Sequence, residues 1–112
     1  MSHAEFEKTV EAALDSLDDG FLQLMENVVV VTADRHAEEP DLLGLYEGIP
    51  LTERGDYGYL DLPDQVSIYR LALCEMCETT EQLIDEIRIT VVHEIAHHFG
   101  IDDDRLHELG WA

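Results

Sequence analysis

The sequence predicts an α+β fold, with helices and a few short strands sharing one core in a single domain spanning residues 1–112. Three observations carry this. The chain has 112 residues and 46% apolar content, enough for one modest core without disulfides. Short β-branched or apolar runs punctuated by Gly and Pro recur through the first seventy residues. A long run with helical period then fills residues 80–99.

The elements follow in chain order. Ser2 and Glu5 form a capping box, and Phe6, Val10, Ala13, Leu14 and Leu17 recur at helical spacing behind it. "DDG" ends this helix, with Gly20 free to take the left-handed conformation. Phe21, Leu22, Leu24 and Met25 read as a short second helix. Val28 to Val31 are four valines, a buried strand. "ADRHAEEPD" is an acidic loop. Leu42 to Gly48 read as a strand, "IPLTERGDYGYLDLPD" as a Gly- and Pro-rich loop, and Gln65 to Arg70 as a strand with Val66 and Ile68 on one face. "LALCEMC" reads as a short helix. Thr79 and Gln82 form a second capping box, and the helix behind it runs to Gly100. Its apolar residues, Leu83, Ile84, Ile87, Val91, Val92, Ile95, Ala96 and Phe99, cover a wide arc, so most of it is buried. "DDRLHEL" makes a last helix.

Charge narrows the function classes. The net charge is −20, with one lysine and five arginines among 26 acidic residues. Such a surface repels phosphate backbones and anionic headgroups, so neither nucleic acid nor a membrane is expected as a partner. No apolar run reaches the ~20 residues of a membrane span. The opening "MSHAEFEKTV" lacks the pattern of a signal peptide, and a cytoplasmic location is expected. Cys74 and Cys77 form one C-x-x-C without a second pair to complete a Cys₄ zinc site, and read as two half-buried thiols.

The chemistry concentrates in "VVHEIAHHFGIDDDRL". His93 and His97 are four apart and share one helix face, opposite the centre of the apolar arc. Two imidazoles at that spacing can grip one Zn²⁺ ion, and Glu94 beside them can take a proton from a metal-bound water. A hydrolytic site needs a third ligand and one open position. Gly100 ends the helix and lets the chain turn back, so the eleventh position from His93, Asp103, is the candidate. Asp102 or Asp104 then caps the last helix. His107 is the alternative third ligand. An aspartate ligand leaves the zinc less positive than a third histidine would, and its water less acidic. His98 points toward the apolar arc and reads as packed. His3 and His36 read as solvated, and Glu86 shares the His93 face two turns earlier.

The run "HEIAHHFGIDDDRLHELG", with "VVVV", "LPDQVSIYR" and the acidic first helix, resembles the minimal zincins, small bacterial metallopeptidase-like proteins. It is also similar to the metzincin pattern, with Asp103 in place of the last histidine; no methionine follows Asp103 to form a methionine turn. The resemblance implies a zincin-like minimal metallopeptidase fold, a small mixed β-sheet packed on the N-terminal helix and the active-site helix. It implies a zinc-dependent peptidase with Glu94 as general base, and a peptide or protein substrate added as a strand beside "LLGLYEG". Tyr46, Tyr57, Tyr59 and Tyr69 are candidate oxyanion donors. A non-proteolytic metal-binding module is the alternative function. An RNA-cleaving metalloenzyme has Glu94 and the negative charge against it.

Overall fold

The computed structural model describes residues 1–48 and 63–111. Helix α1 spans His3–Asp15, α2 Asp19–Leu24, α3 Arg70–Met76, α4 Thr80–His98 and α5 Asp103–Leu109. Strands β1 (Val28–Ala33), β2 (Gly44–Glu47) and β3 (Asp64–Tyr69) form a mixed sheet in the order β1-β3-β2. β1 pairs parallel to β3, with Val28 opposite Asp64 and Ala33 opposite Tyr69. β2 pairs antiparallel to β3, with Gly44 opposite Ile68 and Glu47 opposite Gln65. The architecture is α+β, as the sequence predicts.

The caps explain where the helices start. Ser2 accepts from the Glu5 amide at the head of α1. Thr79 and Gln82 complete a reciprocal capping box at the head of α4. α1 buries Phe6, Val10 and Ala13, and α4 buries Leu83, Ile87, Val91, Val92, Ile95 and Ala96. These faces pack on each other, and the sheet packs on α4, so α4 is the central rod of the core.

Several expectations are corrected. α1 stops at Asp15, and Gly20 lies in the first turn of α2 instead of ending α1 in a left-handed conformation. The reason is Asp18, whose carboxylate accepts from the Gly20 amide and caps α2. The valine strand is half-buried, not buried, and Val29 is 41% exposed. It lies at an edge of the sheet, while the central position belongs to β3, where Val66, Ser67, Ile68 and Tyr69 are all buried. Phe99 is 47% exposed because it falls at the end of α4, past the packed arc. Of the loop expected over residues 49–64, residues 49–62 lie outside the described residues, and Asp64 already belongs to β3. Among the described residues no helix is long and apolar enough to cross a membrane.

Candidate metal centre

α4 ends in a Schellman motif that determines what can face its histidines. Gly100 takes φ +74°, its amide bonds to the His97 carbonyl, and the Ile101 amide bonds back to the Ala96 carbonyl at 2.8 Å. The chain therefore reverses within two residues, and Asp102 opens α5 by accepting from the Arg105 amide at 2.8 Å. With Asp102 committed to the cap, the next carboxylate, Asp103, is left to point back at α4.

His93 and His97 stand one turn apart with their rings 5.8 Å apart and 21° from parallel. Asp103 Oδ1 lies 3.9 Å from His93 Nε2 and 3.9 Å from His97 Nε2. That separation is too long for a hydrogen bond. It is just inside the ~4.1 Å that two ligands at ~2.0–2.1 Å can span across one ion, and roughly half an ångström more than tetrahedral ligands need. Among the described residues no group of three or more His, Cys, Asp or Glu side chains is closed tightly enough to hold a metal as it stands. The trio is an open arrangement whose donors, two imidazole nitrogens and a carboxylate oxygen, suit zinc. The side chains are 42%, 60% and 70% exposed for His93, His97 and Asp103, so a fourth position faces solvent.

Glu94 is half-buried and lines the groove that passes these histidines. Burial raises its carboxyl above the ordinary glutamate value, partly opposed by the positive charge available to His97 and His93. The groove encloses about 360 Å³ between α4 and the segment Asp41–Gly44 that leads into β2. Its α4 wall carries Glu86, Ile89, Thr90, His93, Glu94 and His97. Gly44 lets the strand come this close: a Cβ there would meet Thr90 Cγ2 at 2.6 Å and the Ser67 carbonyl oxygen at 3.2 Å.

The remaining sequence candidates go elsewhere. His107 is exposed on α5, while His93 and His97 face Asp103 and each other. His98 is exposed, not packed on the apolar arc: it stacks on Tyr46 at the sheet edge with ring centroids 3.9 Å apart, its Nε2 3.9 Å from Asp64 Oδ2. Its position follows from the helix wheel, which turns residue 98 away from residue 97 toward β2. Tyr46 donates its hydroxyl to Asp64 at 2.7 Å. Tyr69 is buried at the end of β3, and Tyr57 and Tyr59 lie outside the described residues. His36 is half-buried, not solvated: its Nδ1 accepts from the Glu38 and Glu39 amides, and its ring meets Tyr69 edge-on. His3 is exposed and pairs with Glu7 at 3.0 Å. Cys74 and Cys77 are half-buried free thiols, with burial raising the Cys77 thiol above its ordinary value.

The expected substrate edge Leu42–Gly48 includes Leu42, Leu43 and Gly44 of the groove, whereas Asp41, Ile89 and Thr90 are walls that sequence reasoning misses. A signal for Ile89 and Thr90 exists, since they precede His93 by four and three positions on the same helix face. No such signal marks the approach of Gly44, because it depends on how the sheet docks on α4.

A family model described as "Zincin-like metallopeptidase" matches residues 25–111. No curated protein matches the chain. Among solved structures, a conserved hypothetical protein from Thermo thermophilus is similar with a TM-score of 0.58 and 21% identity. The match covers 88% of this chain and 94% of that one. At that identity the likeness speaks to the fold.

Proposed function

This chain belongs to the zincin-like metallopeptidase family, and from that premise we propose that it hydrolyses peptide bonds, with His93, His97 and Asp103 holding one zinc ion and Glu94 acting as general base. The observation that carries the reading is the placement of Asp103 Oδ1, equidistant at 3.9 Å from both imidazole Nε2 atoms. Zinc, when bound, supplies Lewis acidity: it acidifies water and polarises a carbonyl.

The protein's own groups divide the rest of the work. His93 and His97 can turn their Nε2 atoms toward one ion because they lie one turn apart on a capped helix. Asp103 adds negative charge from the opposite side, fixed by the Gly100 turn and the Asp102 cap. Glu94 faces the groove and takes the proton of the attacking water, then returns it to the leaving amine nitrogen. Its raised carboxyl favours the first half of that cycle, since a more basic carboxylate takes up the proton more readily and carries it to the amine. The edge strand β2 offers backbone groups along which an extended peptide can lie.

Zinc content and turnover of a quenched fluorescent peptide library test the reading together. Glu94→Gln is expected to keep its zinc and lose about 10²–10⁴-fold in turnover. Asp103→Ala is expected to lose zinc, and His107→Ala to keep it. Intact turnover in Glu94→Gln, or zinc lost in His107→Ala but not in Asp103→Ala, overturns the assignment. A zinc-loaded parent protein that cleaves nothing points instead to a metal-binding module.

A further inference from the structure

The groove beside the candidate metal centre has a chemical character of its own. Its apolar lining comes from Leu42 and Leu43 on the strand side and from Ile89 on α4. Two carboxylates stand on its walls, Asp41 on the strand side and Glu86 on α4, in addition to Glu94. None of its lining residues is a lysine or arginine. Glu86 is half-buried and, among the described residues, has no hydrogen-bond or ion-pair partner. By contrast, Arg35, Arg70 and Arg105 are each already paired with a carboxylate elsewhere. Arg35 reaches Asp41 only through its field, its side chain being paired with Glu75, and Glu86 is the groove carboxylate left short of positive charge.

Spacing connects these charges to an extended ligand. Glu86 precedes His93 by seven positions, about 10 Å along the helix axis. An extended chain lying along the groove advances ~3.3 Å per residue, so Glu86 falls about three residues from a bond held at the histidines. Asp41 flanks the same stretch from the opposite wall. A side chain with a long apolar stem and a cationic tip matches the combination: the stem covers Leu43 and Ile89 while the tip reaches a carboxylate.

We infer that this groove selects extended peptides carrying lysine or arginine about three residues from the scissile bond, with Glu86 and Asp41 as the specificity-determining carboxylates. The inference rests on the proposed peptidase reading for its register, and deepens it by naming the substrate class. The overall charge of −20 adds long-range attraction for the same ligands, so the experiment must separate the groove from the global field.

Fluorescence anisotropy does so with metal-free protein in EDTA, where binding is read without cleavage. The probes are labelled eight-residue peptides on one apolar scaffold, carrying two lysines, two glutamines or two glutamates. The lysine peptide is expected to bind about three- to tenfold more tightly than the glutamine peptide, with the advantage shrinking as salt rises. The double variant Asp41→Asn with Glu86→Gln is expected to abolish that preference. The double variant Glu11→Gln with Glu38→Gln removes equal charge from exposed positions outside the groove, and is expected to retain it. Both pairs are near-isosteric, and circular dichroism checks that each folds. Equal loss in the two double variants, or persistence in the groove variant, overturns the proposal. Zinc-loaded protein is then assayed on the lysine peptide: preference without cleavage counts against hydrolysis while leaving the docking preference standing.

Discussion

At the scale of single residues, neighbouring positions with the same chemistry have different tasks. Asp102 and Asp103 are adjacent aspartates, yet one caps α5 and the other faces two imidazoles. His97 and His98 divide in the same way between the open site and the stack on Tyr46. The spacing of His93, Glu94 and His97 is legible in the sequence because a helix converts separation into direction. Which of Asp102 and Asp104 supplies the cap is not, because either can satisfy the helix N-terminus. Glu94 gives a prediction at this scale. Its folded-state carboxyl is raised by burial, so its contribution to stability is fully present below the unfolded value and is lost as pH rises through the folded one. At neutral pH the ionised group therefore weighs against the metal-free fold. Glu94→Gln in EDTA is expected to raise Tm at pH 7, and the gain is expected to shrink as pH falls toward the ordinary glutamate value of ~4.3. A gain that grows on acidification contradicts the sign.

At the scale of elements, the fold is most legible where local signals agree. The capping box and the glycine stop delimit α4 closely, and both are physically present. The valine strand shows the opposite case: composition marks it as a strand but does not tell edge from centre, since pairing order is decided by the whole sheet. The contact between β2 and α4 is likewise a tertiary property, and it is testable. Gly44→Ala places a methyl group 2.6 Å from Thr90 Cγ2, a branched side chain that is 8% exposed and has little room to move. The expected cost is about 1–3 kcal/mol, read as a lower midpoint in urea unfolding. Thr90→Ser removes the clashing methyl, so the double variant should recover part of the loss, and strict additivity would refute the contact.

At the scale of the whole molecule, charge dominates. Twenty-six acidic groups oppose six basic ones, and the described ion pairs involving arginine are partly exposed, so self-repulsion opposes compaction more than local pairing offsets it. Moderate salt screens that repulsion. Raising NaCl from about 0.02 M, where the screening length is ~20 Å, to about 0.5 M is expected to raise Tm by several degrees in EDTA-treated protein. A flat or falling Tm would show that repulsion is a minor term.

The glycine turn after α4 has a further consequence, for the order in which the chain assembles. His93, His97 and Asp103 fall within eleven consecutive residues, whereas β1 reaches its partner only when Val28 meets Asp64. Closing the shorter loop costs roughly 1 kcal/mol less chain entropy, and the helical turns it needs form in about 0.1–1 μs. The helix end can thus form its ligand pocket while the sheet is still unpaired, and a captured ion would act as an early folding nucleus before it served any substrate.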